Sequence, residues 1–169
     1  VRRLRVTAVN SASIIAPTGR AVGDAGWFFD STTDEALPDI DLSAYDIVVW
    51  AAGEESTADE TFSTAQQDQL RTFVDGGGAL VASGSEVLWD LDERGNATDQ
   101  AFASDILGAS LAADAASSTS VTGAGPLAGL SVSYADGDYP VEFADVLGSS
   151  GTVLATYGGG GEIAGALSG

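Results

Sequence analysis

The sequence predicts a three-layer α/β domain with a mostly parallel sheet and antiparallel additions at its C-terminal end. Three observations lead to this fold class. Residues 45–53 form a continuous apolar run, as expected for a strand buried on both faces of a parallel sheet. A helical pattern follows at 63–75, and a second apolar strand at 79–83 comes after a triple glycine. Strand, helix and strand joined by short connections form a βαβ unit with a right-handed crossover.

The N-terminal elements have weaker signals. Residues 4–9 alternate and are β-prone, which predicts the first strand. A short helix is expected within 18–30, where apolar residues recur at helical spacing despite several glycines. Trp27, Phe28 and Phe29 form an aromatic cluster that we expect in the core, with an exposed surface for a partner or a carbohydrate as the alternative.

The central helix has a defined start, because Ser63 and Gln66 form a capping-box pattern. A second helix is predicted at 98–107, ended by Gly108. Beyond it, short β-prone segments alternate with turns rich in Gly, Ser and Asp, which predicts antiparallel strands. These segments are 119–122, 130–134, 152–157 and 162–167.

The length fits a single domain over 1–169, with a βαβ core at 1–110 and a β-rich extension at 111–169. The chain begins with valine and contains no methionine, so we expect it to be a piece of a longer protein. No apolar run approaches the roughly 18–20 residues that a membrane helix needs, so no membrane insertion is expected.

Charge is the dominant compositional feature. Six basic residues, all arginine, stand against 25 acidic ones, and the net charge is -19. Such a field repels phosphate backbones, which argues against nucleic acid as a partner. The same composition is typical of proteins that work in concentrated salt. The cytoplasm of an organism with high internal salt is one location that fits this composition.

Several catalytic chemistries are excluded by residue type. The chain contains no cysteine, no histidine and no lysine. It therefore cannot assemble a cysteine–histidine pair or a Ser-His-Asp triad, and it has no thiolate for a metal site. Ligands of open parallel sheets bind beyond the carboxyl ends of the strands. The segments that reach this edge are Asn10-Ser11, Gly53-Glu54-Glu55 and Ser83-Gly84-Ser85-Glu86.

The segments 45–53 and 76–84, with the helix between them, resemble the core of class I glutamine amidotransferase-like domains. This resemblance implies a flavodoxin-like or amidotransferase-like sheet, and it matches Ser83, with the neighbouring Gly84 as the alternative, to the position of the family's nucleophile. The stretch 83–92 is similar to a subgroup within large secreted bacterial proteins, some labelled as cell-wall amidases or polysaccharide lyases, where the domain is an accessory module. This resemblance implies an extracellular or cell-surface location. The family's catalytic cysteine and histidine are both absent here.

The residue types that the chain does contain leave three kinds of functional site possible. Ser83 or Ser85 could act as a nucleophile only with a carboxylate base, for which Glu86, Glu54 and Glu55 are the candidates. Paired carboxylates from the same group, with Asp90, could hydrolyse a glycosidic bond. Asp90 and Asp92 begin a calcium-loop pattern, which then fails at Arg94 and Ala101.

We therefore predict a non-catalytic accessory or binding module of a larger, salt-adapted bacterial protein. Its expected partners are the neighbouring domains of the parent chain, with a carbohydrate or cell-wall ligand as a further candidate. The alternative is a hydrolase that uses a Ser/Glu or paired-carboxylate site at the 83–86 turn. No cofactor is expected. Calcium or magnesium, which carboxylates and carbonyls can bind, stays open, and calcium is the candidate at Asp90 and Asp92.

Overall fold

The structure, a computed structural model, divides into two compact units, a first unit at 1–84 and a second unit at 85–169. For the first strand and the start of the first helix only the backbone is described. The residues that the structure describes are 3–8, 12–53, 58–135, 137 and 141–169.

The first unit contains a four-stranded sheet in which every described strand pair is parallel, in the order β2-β1-β3-β4. Two short 3₁₀ turns, rather than a helix, connect β2 to β3. The elements are β1 (Arg3–Ala8), α1 (Ala12–Asp24), β2 (Phe28–Thr33), β3 (Ile47–Gly53), α2 (Thr64–Asp75) and β4 (Ala79–Gly84).

The centre of this sheet is the apolar strand β3, and its burial follows from its sequence. Trp50 is completely buried, and its ring lies 4.5 Å from the ring of Phe62, centroid to centroid. The predicted capping box of α2 is confirmed, because the Ser63 amide donates to Gln66 Oε1 over 2.7 Å and the Ser63 hydroxyl accepts from the Gln66 amide. These contacts fix where the helix starts after β3.

The two edges of the sheet are more exposed than the sequence predicts. The second apolar strand predicted at 79–83 is present as β4, but Ala79, Val81 and Ser83, which share one face of this edge strand, are exposed. At the other edge, Phe28 in β2 is 70% exposed, so its predicted core position is wrong. The segment expected as a helix at 18–30 contains the end of α1 and the start of β2.

The second unit begins with helical segments and continues as a six-stranded sheet of the order β5-β8-β10-β9-β6-β7, antiparallel in every described pair. The helical segments are a π-helical stretch Trp89–Arg94, α3 (Ala97–Phe102) and a second π-helical stretch Ala103–Leu107. The strands are β5 (Ser110–Ala113), β6 (Ser120–Gly123), β7 (Ser131–Ser133), β8 (Val146–Gly148), β9 (Thr152–Tyr157) and β10 (Ile163–Leu167).

The predicted three-layer, flavodoxin-like or amidotransferase-like, mostly parallel sheet is therefore wrong. The chain is mixed α/β, and its C-terminal strands form a separate antiparallel sheet instead of extending the parallel one. The physical reason lies in the connections. Parallel neighbours need crossovers of a dozen or more residues, whereas β6 and β7 are joined by the short connection 124–130 and β9 and β10 by 158–162, which suit antiparallel pairing.

The antiparallel sheet of the second unit contributes a small cluster of buried residues. Ala144, Val146 and Tyr157 are buried together, and Val121 and Tyr134 pack against them. The rings of Tyr134 and Tyr157 meet edge to face with their centroids 6.4 Å apart. Among the described helices of the chain, none is long and apolar enough to span a bilayer.

Candidate functional site

Part of the predicted site falls outside the described residues. Glu54 and Glu55, which follow β3, and the Asn10-Ser11 segment, which follows β1, have no described structure. The proposed roles of Glu54 and Glu55 as a base or as paired carboxylates therefore stay predictions.

The remaining candidates of the 83–86 turn lie in different environments. Ser83 is exposed near the end of β4 in the first unit. Ser85 and Glu86 open the second unit, and each is only 7% exposed. Glu86 is a buried carboxylate, which is uncommon for glutamate and makes its surroundings the strongest starting point for a site.

A second buried carboxylate lies beside this turn. Asp145 immediately precedes β8 and is 6% exposed. Its amide donates to the carbonyl of Ser85 over 2.8 Å, so the two segments are joined through the backbone. Glu86 and Asp145 are the buried carboxylates among the described side chains, and both belong to the second unit.

The Asp145 side chain caps the helical segment that follows Glu86. Its Oδ2 accepts from the Leu88 amide over 2.6 Å and from the Trp89 amide over 3.3 Å. The first amides of a helix have no partner within it, and here the first internal bond runs from the Asp90 amide to the Glu86 carbonyl. Asp145 thus does from a distant position what an N-cap residue does locally.

The other two oxygen atoms of Asp145, its backbone carbonyl and Oδ1, differ in whether they accept a hydrogen bond. Its carbonyl accepts from the Tyr157 hydroxyl over 2.9 Å. Its Oδ1 is buried and has no hydrogen-bond partner among the described residues. A buried carboxylate oxygen without a donor disfavours the ionised form of the side chain.

The electrostatics follow from this geometry. The pKa of the Asp145 carboxyl is raised from 3.8 to about 7, and burial is the largest cause. The amides of Leu88 and Trp89 oppose this rise, whereas the negative charges of Asp114 and Glu86 add to it. Burial likewise raises the pKa of Tyr157 to about 12, with smaller contributions from nearby negative groups. Tyr157 is therefore a neutral donor at physiological pH, while Asp145 exchanges a proton near neutrality.

The two carboxylates that were predicted as metal ligands, Asp90 and Asp92, form contacts with other groups of the protein. Asp90 forms an ion pair with Arg94, one turn away, at 3.1 Å. Asp92 Oδ2 accepts from the Leu111 amide over 2.7 Å. Within the described parts of the chain, no group of three or more acidic side chains is placed to hold a metal ion. Calcium binding by Asp90 and Asp92 stays an untested alternative.

Sequence reasoning missed Asp145, although the sequence contains a signal for it. The residue interrupts an apolar stretch, Phe143-Ala144-Asp145-Val146-Leu147. An acidic residue at the start of an otherwise apolar strand indicates a buried carboxylate with a specific partner. In the structure, Phe143 has a φ of 51°, in the left-handed region that bulky residues rarely adopt.

The site can do two things chemically. It can hold the first turn of a helical segment through two charge-assisted hydrogen bonds, and it can take up or release one proton near pH 7. Comparison with family models, with curated proteins and with solved structures gives no match. The resemblance to glutamine amidotransferase-like domains therefore stays a prediction.

Proposed function

We propose that this chain is a non-catalytic accessory or binding module of a larger protein adapted to high salt. The observation that carries the proposal is the engagement of Asp145. Its Oδ2 is occupied by two backbone amides of the same unit, which is the contact of a structural cap. The absence of cysteine, histidine and lysine from the sequence supports the same conclusion, since a serine without such a base is a weak nucleophile.

Within this proposal, the partners are the adjacent domains of the parent chain, and a carbohydrate or cell-wall polymer is the candidate ligand. The exposed Phe28 at the edge of β2 supports a ligand with an apolar or carbohydrate face, because aromatic side chains stack on such surfaces. The acidic surface supports a location in concentrated salt, where its self-repulsion is screened.

The test is an activity survey of the isolated chain in concentrated salt. Glutamine, simple esters, peptidoglycan and polysaccharides are the substrates, and Ser83→Ala, Ser85→Ala and Glu86→Gln are the variants. We expect no turnover above the background of a heat-denatured sample. Turnover that is lost in one of these variants, with the circular dichroism spectrum unchanged, would overturn the proposal.

A second candidate function rests on one specific observation. Asp145 has a pKa near 7 and lies within the electrostatic influence of Glu86, an arrangement that suits general acid–base catalysis. The candidate is a hydrolase that uses these two carboxylates. It requires a pH–rate profile with a midpoint near 7 that disappears in Asp145→Asn while the fold is retained.

A further inference from the structure

The six-stranded sheet of the second unit ends in an edge that is both apolar and exposed. β7 is the last strand in the sheet order, and it pairs with β6 alone among the described strands. Val132 in β7 is 62% exposed, Leu130 just before it is 59% exposed, and Leu127 in the preceding turn is also exposed. Proteins usually protect such edges with charged side chains or proline, because the free backbone groups can pair with another strand.

The hydrogen bonds to β6 show which backbone groups of β7 face outward. The Gly123 amide donates to the Leu130 carbonyl over 2.8 Å, and the Tyr134 amide donates to the Thr119 carbonyl over 3.0 Å. Hydrogen-bonded and non-hydrogen-bonded pairs alternate in an antiparallel ladder, so Val132 also bonds inward. The amides and carbonyls of Ser131 and Ser133 therefore point away from the sheet.

The side chains of β7 continue the core face of the sheet. Val132 lies opposite Val121, which packs against the buried core of the second unit. Tyr134, two residues beyond Val132, packs against the same core. Because alternate residues of a strand share a face, Leu130 and Val132 extend this apolar face to an edge where nothing described covers them.

The charge pattern indicates what can approach this edge. Residues 115–135 contain no charged side chain, and this is the longest such run in a chain of net charge -19. A second copy of the chain is repelled by most of the surface, and it meets least repulsion along this segment. Charged residues are depleted in the centres of protein interfaces in the same way.

We propose that β7 is a self-association edge, where two copies pair antiparallel about Val132 and join their sheets. In this arrangement Ser131 of one copy pairs with Ser133 of the other, and each pair exchanges both backbone hydrogen bonds. Val132 faces its own counterpart across the two-fold axis, where the side chains of non-hydrogen-bonded pairs are closest. The pairing does not depend on whether the module is catalytic.

The size of the edge sets the strength of the association. A stable complex buries about 800 Å² on each partner, and a strand of three residues covers less than that. The dimer is therefore weak and concentration-dependent. Salt strengthens it, because screening reduces the repulsion between two chains of charge -19 while the apolar contact remains.

Sedimentation equilibrium over a concentration series, in low and in concentrated salt, tests the proposal. We expect a monomer–dimer equilibrium that tightens with salt. Val132→Glu should weaken it at least tenfold, because the two new carboxylates meet at the axis. Phe28→Glu is the matched control, since it places the same charge on a strongly exposed residue of β2, the edge strand of the parallel sheet. A chain that stays monomeric, or a dimer weakened by Phe28→Glu alone, would overturn the proposal.

A cross-linking experiment makes the test specific for geometry. The chain contains no cysteine, so Val132→Cys introduces a single thiol. The Cα atoms of a non-hydrogen-bonded pair lie about 4.5 Å apart, which is within the range of a disulfide. We expect Val132→Cys to form a disulfide-linked dimer at least ten times faster than Phe28→Cys under mild oxidation in concentrated salt. Equal rates for the two variants would show that the copies do not meet at β7.

Discussion

The two units of the chain differ in what they bury. In the first unit the described buried groups are apolar side chains such as Trp50, Phe62 and Leu70, together with neutral polar ones such as Gln66 and Gln67. In the second unit buried apolar side chains such as Leu91 and Phe102 are accompanied by two buried carboxylates, Glu86 and Asp145. The described buried side chains of the first unit therefore carry no ionisable group, whereas those of the second include a carboxyl that titrates near neutrality.

This difference separates two sources of sensitivity within one chain. Packing defects should dominate the behaviour of the first unit, because interiors tolerate lost volume poorly. Proton concentration should dominate the second, because its helical segment is capped by a carboxylate whose charge changes near pH 7. Three measurements test whether the two units differ in this way.

The largest effect is expected from Trp50→Ala. The indole is completely buried against Phe62, so the substitution leaves a cavity in the first unit and costs about 4 kcal/mol of unfolding free energy. Val81→Ala is the control, since Val81 is exposed in the adjacent strand β4 and should lose far less. Denaturant titration of both variants measures the difference, and equal losses would contradict the picture of a packed first unit.

The second effect is the pH dependence that Asp145 contributes. Its pKa is 3.8 in the unfolded chain and about 7 in the folded one, so the folded state binds the proton more tightly. The contribution to stability is complete below pH 3.8 and is lost as the pH rises to 7 and above, by roughly 4 kcal/mol in total, of which roughly 3 kcal/mol is lost between pH 5 and pH 8. Asp145→Asn should remove this loss, because the amide can still accept from Leu88 without carrying a charge.

The measurement for Asp145 is denaturant unfolding of wild type and Asp145→Asn between pH 5 and pH 8, and the difference between their slopes is the quantity of interest. Asp92→Asn is the matched control, because Asp92 also accepts a backbone hydrogen bond in the second unit but is less buried. If wild type and Asp145→Asn show the same pH dependence, Asp145 does not hold a proton near neutrality.

The smallest of the three effects concerns salt and is shared by both units. The net charge of -19 makes the folded chain repel itself, and screening reduces this cost. The melting temperature should therefore rise by several degrees from low to concentrated sodium chloride. Trp50→Ala should show the same rise, because it changes no charge. A melting temperature indifferent to salt would contradict the salt-adapted interpretation.

Features with local signals were predictable from the sequence. The apolar run of β3 and the capping box of α2 depend on neighbours within a few residues, and both were located correctly. β2 was missed, because aromatic and small residues at helical spacing hid a strand that begins at Phe28. The sheet of the second unit was misassigned to the parallel sheet, since periodicity predicts strands but not which sheet they join.

The candidate site illustrates the same limit. Ser85 and Glu86 were identified from their place after a strand, but their burial depends on residues far along the chain. Asp145 was missed because its role appears only when it meets Leu88 and Trp89. The residues around Asp145 indicate that a carboxylate is buried there, but they do not indicate that its partner Leu88 lies 57 residues away.

The cap on Leu88 also has a consequence for the order of folding. The hydrogen bond from the Leu88 amide to Asp145 spans 57 residues, and the Ser85 carbonyl likewise receives its donor from Asp145. During synthesis, the start of this helical segment leaves the ribosome well before its acceptor does. Closing so long a loop costs entropy that only the later contacts repay, so the second unit should fold late and in one cooperative step.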